Sequence, residues 1–142
     1  MPARVAGEEE HVSEDERRIR ALITRWADAV HRGDLDAVLA DHAEDLLLYN
    51  VTPPHDGLRG LAAYRAIWPP FFAWQAQGAL FEIDALDVAA GPEVAYAHAL
   101  LRCGTPEELA ERPALRLRLT FGLRKRRGRW VIAHEHHSFP HD

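Results

Sequence analysis

The chain has 142 residues, 47% hydrophobic and 27% charged, with a formal net charge of −5 at pH 7. That is enough for one domain with a sizeable core, and the composition is that of an ordinary globular protein. The negative balance excludes a general nucleic-acid binder, and no apolar run approaches the roughly 18 residues of a membrane-spanning helix.

Residues 1–12 are acidic, lack the apolar core of a signal peptide, and read as a flexible tail. His11 and, at the other end, His141 read as solvated tail residues. Cys103 is the single cysteine, so no disulfide framework exists and a reducing cytoplasm is the expected compartment. The domain is expected over residues 13–140.

Ser13-Glu14-Asp15-Glu16 has the S-x-x-E spacing of a capping box at a helix start. Ile19, Leu22, Ile23, Trp26, Ala27 and Val30 then recur at helical spacing. Gly33 is placed to end that helix, and Asp34 to cap a short second one carrying Leu35, Val38 and Leu39. A strand is expected over Leu46–Val51, then a loop over Thr52–Gly57. A third helix starts near Leu61 with Tyr64, Ile67 and Trp68 on one side, and Pro69-Pro70 is expected to break or kink it.

Beyond it, Leu80–Val88, Val94–Cys103, Leu115–Lys125 and Arg129–Ser138 read as strands. Tight turns at 89–92 and 126–128 join neighbours, and Gly104–Pro113 is a longer loop. The basic cluster Arg124–Arg129 surrounds the second turn. No aromatic residues interleave it as a nucleic-acid stacking surface would require, so it reads as a solvated hairpin end. Helices first and antiparallel strands after indicate an α+β fold, with helices on one face of a curved sheet.

That order resembles the nuclear transport factor 2-like superfamily, with its ketosteroid isomerases and SnoaL-type polyketide cyclases. Two stretches carry the likeness: "RWADAVHRGDLDAVLADHAEDLLLYN" and "RGRWVIAHEHHSFP". The closest flavour is SnoaL-like or ketosteroid isomerase-like. The resemblance implies a cone-shaped, cystatin-like fold: a curved antiparallel sheet wrapped around N-terminal helices, enclosing a deep apolar pocket. It also implies a homodimer through the outer sheet face. The isomerases' oxyanion tyrosine, catalytic base and second acid map onto Trp26, Asn50, and Thr120 or Phe121. None is preserved in kind, because Trp26 only donates, Asn50 does not titrate, and Thr120 and Phe121 carry no carboxyl. Isomerisation by the ketosteroid mechanism is therefore not expected, although the fold can persist while the activity changes.

The chemistry left concentrates in "WVIAHEHHS". Strand alternation puts Trp130, Ile132, His134, His136 and Ser138 on one face and Val131, Ala133, Glu135 and His137 on the other. Parity does not say which face lines the pocket, and a bulge would change the pattern. The resemblance favours Glu135 and His137. On that reading they form an acid/base pair, since histidine titrates near neutral pH and a pocket tunes a glutamate. Asn50 is the candidate for binding a carbonyl or enol oxygen, and His55 for a second proton carrier. Trp26, Tyr64, Trp68 and Phe121 are expected to form an apolar wall. The partner expected is a small apolar or aromatic molecule, handled without a cofactor or metal. A cavity that binds without catalysis, or an assembly domain, is the alternative from another class. If the other face looked inward, His134, His136 and His98 would make a three-imidazole metal set. Cys103 reads as a buried structural thiol, and Arg116 and Arg118 as a solvent-side or dimer-rim pair.

Overall fold

A computed structural model describes residues 13–140; the expected acidic tail, His11 and His141 lie outside the described residues. Helix α1 spans Glu14–Arg32. The Ser13 hydroxyl accepts the Glu16 N–H at 3.1 Å, and Gly33 closes the far end at φ 70°. The helix buries the expected stripe from Ile19 to Val30. Asp34 caps α2, Leu35–Leu39, by accepting the Ala37 N–H at 3.2 Å.

Strand β1 spans His42–Tyr49, four residues earlier at its start than Leu46. The polar run His42-Ala43-Glu44-Asp45 hides that start, although His42 and Ala43 are buried. After the loop and the two-residue strand β2, Leu58–Arg59, helix α3 runs Leu61–Gln75. It continues across Pro69 and Pro70, contrary to the expected break. Both prolines face solvent. Tyr64, Trp68, Phe71, Phe72 and Trp74 pack from the helix onto the core, and that burial outweighs the missing N–H groups.

The remaining strands are β3, Leu80–Ala90; β4, Val94–Gly104; β5, Leu117–Arg126; and β6, Arg129–Ser138. The expected loop Gly104–Pro113 between β4 and β5 holds a short helix. It is α4, Pro106–Glu111, started by a complete capping box between Thr105 and Glu108. The six strands form one sheet in the order β2-β1-β6-β5-β4-β3, antiparallel except where β1 runs parallel to β6. Bulges between Ile83 and Ala85, and opposite Gly122/Leu123, bend the sheet about the helices. No helix among the described residues is long and apolar enough to cross a membrane.

The basic hairpin end is solvent-exposed, as expected, and three of its residues pair with carboxylates. Arg124 pairs with Asp45, Lys125 with Asp15 at 3.0 Å, and Arg129 with Asp41. Just before β5, Arg116 meets Asp84 at 3.0 Å, and Arg118 on β5 is exposed.

The second bulge decides the site. Gly122 pairs with His134, but the next residue, Leu123, pairs with Ile132, so Ala133 is an extra residue in β6. Before it, Trp130 and Ile132 face inward; after it, Glu135 and His137 do. Strict alternation had put these two pairs on opposite faces. The inserted residue flips the parity, so the strand buries an apolar half and a polar half on one side.

Candidate functional site

Inside the cone, aromatic packing builds a floor. The Trp26 ring meets Trp68, Phe81 and Phe121 edge-to-face, with centroids 6.1, 5.7 and 5.3 Å away. Such contacts stabilise beyond area burial alone. Beside this floor lies a fully buried carboxylate, Glu135.

Four side chains from three other elements and β6 itself organise it. From α1, the Trp26 indole N–H donates to the Tyr64 hydroxyl at 2.9 Å. From α3, that hydroxyl donates to Glu135 Oε2 at 2.8 Å. From β1, His42 Nε2 lies 2.5 Å from the same oxygen. From β6, His137 Nε2 lies 2.8 Å from Oε1. His42 Nδ1 reaches the Ala40 carbonyl oxygen at 3.0 Å. A carbonyl oxygen only accepts, so that nitrogen carries a hydrogen.

The electrostatics follow from these contacts. Burial alone would raise the Glu135 carboxyl. The hydrogen bonds from His137 and His42, with the His42 charge, outweigh burial and bring it down to about 2. Burial would likewise strip the proton from His42, but the bond and charge of Glu135 reverse that and hold it above the usual histidine value. Burial and the Glu135 charge push the Tyr64 phenol well above its ordinary value. Tyr64 therefore stays neutral and serves as a donor. The buried carboxylate has a hydrogen-bond partner on each oxygen, Tyr64 and His42 on Oε2 and His137 on Oε1, as a buried charge must have.

His137 connects this unit to open space. It lines a cavity of about 830 Å³, within the range of small-molecule sites. Ile67, Trp68, Phe71, Trp74, Phe81, Leu117 and Phe139 make its walls mostly apolar, while Asn50, Thr52, Glu108, Arg112 and His137 supply polar groups. With Nε2 on the carboxylate, His137 Nδ1 has no hydrogen-bond partner among the described residues. The arrangement has the logic of a dyad: a carboxylate fixes one ring nitrogen and leaves the other as a base.

Comparison with known proteins agrees with this architecture. The family model described as a SnoaL-like domain matches residues 19–142. The chain belongs to the SnoaL-like domain family. An NTF2-like protein of unknown function from Pseudomonas putida KT2440 is 32% identical, with a TM-score of 0.80 over 90% of this chain and 88% of that one. An NTF2-like protein with a cystatin-like fold from Novosphingobium aromaticivorans is 21% identical, with a TM-score of 0.70 over 89% and 82%. A putative ketosteroid isomerase from Shewanella frigidimarina is 18% identical, with a TM-score of 0.63 over 83% and 92%, a likeness of fold alone. No curated protein matches this SnoaL-like chain significantly.

The expected site residues separate into three groups. Glu135, His137, Asn50 and Trp68 come together at or directly behind the cavity wall. Trp26, Tyr64 and Phe121, expected on that wall, lie behind it instead. Tyr64 is drawn to Glu135, and Trp26 is held to Tyr64, so neither ring turns toward the opening. His55, expected on the pocket side, sits exposed in the turn after β1, three residues past Thr52, where the chain has left the cavity rim.

The three imidazoles considered as a metal set are also apart. His134 and His136 face outward on β6, where both meet the Tyr49 ring, and His98 lies on β4 with β5 in between. His98 and His136 are two strands apart, both opposite Thr120 of β5. No group of three or more His, Cys, Asp or Glu among the described residues is arranged to hold a metal. Cys103 lines the cavity as a thiol, pushed up to about 12 by burial and the Glu108 charge.

His42 was missed. Counting back by twos from Leu48 and Leu46 passes through Glu44, which is exposed, because the register of β1 shifts between His42 and Leu47; plain alternation therefore does not point to His42.

Proposed function

We propose that the cavity takes a small apolar or aromatic carbonyl compound and that His137 moves a proton on it without a cofactor. The observation that carries this reading is the His137–Glu135 pair: an imidazole in the wall of an apolar cavity, bonded at 2.8 Å through Nε2 to a buried carboxylate. Nδ1 takes a proton from the carbon beside the carbonyl, and the electron pair passes to the carbonyl oxygen as an enolate. Glu135 stabilises the imidazolium that forms. Asn50 Nδ2, now 3.3 Å from Thr52 Oγ1, is the donor at the cavity rim for that oxygen. Returning the proton to another carbon isomerises the substrate; loss of hydroxide from the neighbouring carbon dehydrates it. Tyr64 and Trp26 hold Glu135 rather than the substrate, which sets this arrangement apart from the isomerase pattern.

Incubating the protein with a panel of apolar and aromatic ketones in D₂O tests the reading by NMR. Enzyme-dependent loss of the signal from hydrogens beside the carbonyl is expected, reduced at least about 100-fold in His137→Gln. Tight binding of panel members with no exchange would overturn the catalytic step and leave a binding domain. A homodimer through the outer sheet face belongs to the same proposal. Val94, Tyr96, Leu100 and Tyr49 stand on that face with 67, 57, 40 and 38% of their surface exposed. Apolar residues that open on one sheet face fit a second copy.

A further inference from the structure

The carboxylate behind the cavity has two imidazoles, and they are not equivalent. His137 holds Oε1 and lines the cavity. His42 holds Oε2, its side chain has no exposed surface, and the cavity does not reach it. Both of its ring nitrogens are occupied, Nδ1 at 3.0 Å by the Ala40 carbonyl and Nε2 at 2.5 Å by Glu135. Because Nδ1 carries a hydrogen, a neutral His42 turns the Nε2 lone pair toward Oε2. At 2.5 Å that contact needs one proton between them, on Nε2 as an imidazolium or on Oε2 as a carboxylic acid. Tyr64 donates to Oε2 and His137 Nε2 lies 2.8 Å from Oε1, and these added partners favour the carboxylate and so the imidazolium.

A carboxylate that touched His137 alone would bind the imidazolium more strongly and make its proton harder to pass on. A cation on the other carboxylate oxygen offsets part of that pull. We propose that His42 is the counter-ion of Glu135, a positioning residue whose charge leaves His137 able to give up its proton to a bound substrate and take it back. This rests on the reading of His137 as the proton carrier.

Among the described residues, the contacts of this network supply no substitute cation. From α1 the network meets Trp26, from α3 the neutral Tyr64 and from β5 Phe121. At the start of β1, Asp41 adds negative charge near His42, but its carboxylate is itself paired with Arg129 and Arg25. The bond and charge of Glu135 hold the His42 proton on against burial, in line with the geometry. A unit charge about 6 Å away moves a titration by about two pH units at an effective dielectric constant near 20.

The test is side-chain ¹⁵N NMR of the histidines in the full-length chain, over a pH series and without ligand. In the unmodified protein, both ring nitrogens of His42 are expected to be protonated at pH 7, and neutral His137 to carry its hydrogen on Nε2. In His42→Gln, whose amide keeps a neutral donor toward Glu135, the His137 transition is expected to move about two pH units higher. A neutral His42 at pH 7 in the unmodified protein would overturn the proposal, and so would a His137 transition that stays put or moves lower in the variant. The first readout stands even if the variant fails to fold. Neither readout uses a substrate, so a missing catalytic activity is seen separately, in the ketone exchange experiment with His137→Gln.

Discussion

Glu135→Gln removes one charge and almost no volume, and the network cannot accommodate the exchange. The carboxylate now accepts from Tyr64 and His42 on Oε2 and from His137 on Oε1. An amide has one oxygen and one NH₂. If the oxygen takes the Oε2 position, the NH₂ confronts His137 Nε2 and only one tautomer answers it. If the NH₂ takes that position, it meets the Tyr64 O–H, donor against donor. Either way His42 loses its counter-ion in a fully buried place. Two routes give the magnitude. A carboxyl at about 2 in the native state, against 4.5 ordinarily, contributes about 3 kcal/mol at pH 7. Removing one partner of a buried ion pair costs about 3–5 kcal/mol. The expected loss is therefore about 3 kcal/mol at pH 7.

The pH dependence has a definite sign. The depressed Glu135 value stabilises fully above its unfolded value of 4.5, and that contribution fades as pH falls toward about 2. At pH 3 about 1.4 kcal/mol of it remains, so the gap between the parent and Glu135→Gln narrows by about 2 kcal/mol. His42, raised above 6.5, stabilises below that value, and its contribution is lost as pH rises through its native value. The gap therefore narrows on the alkaline side as well. Urea unfolding followed by tryptophan fluorescence at pH 3, 7 and 9 measures it. A gap under about 1 kcal/mol at pH 7, or one that does not narrow at pH 3, would refute the account of Glu135 as a buried, paired anion.

Tyr64→Phe deletes the acceptor of the Trp26 N–H and one donor to Glu135, and is expected to cost about 2 kcal/mol in the same assay. A loss below about 0.5 kcal/mol would mean that the hydroxyl is not part of the network. Tyr96→Asp puts a charge at the centre of the exposed apolar face of β4 and is expected to convert a dimer to monomers in light scattering after gel filtration. A parent that is monomeric at micromolar concentration would exclude the dimer.

The first two helices were legible because local physics sets them. Ser13, Gly33 and Asp34 act within their own turns, and the α1 stripe needs only a partner to bury against. The last hairpin was legible for the same reason, since Arg127 and Gly128 make a tight turn between two alternating strands. The double proline misled because its cost is local and its compensation is not. α3 continues because its aromatic side chains are buried against other elements. The start of β1 was hidden by polar residues whose partners lie far along the chain: Asp45 pairs with Arg124, and His42 with Glu135.

The sequence by itself determined the α+β order, both ends of α1, the start of α2, the four strands of the second half and the concentration of titratable groups in "HEHHS". Those follow from interactions between residues a few positions apart. Only the tertiary structure decided which of those groups meet. One inserted residue, Ala133, set opposite the Gly122/Leu123 step of β5, turns Glu135 and His137 inward with Trp130 and Ile132. Alternation within β6 does not reveal such a bulge, because it is defined by pairing with the neighbouring strand. The same holds for the union of Trp26, His42 and Tyr64 around Glu135. Each is separated from Glu135 by more than 70 residues of sequence, and only the closing of the sheet around the helices brings them within hydrogen-bond distance.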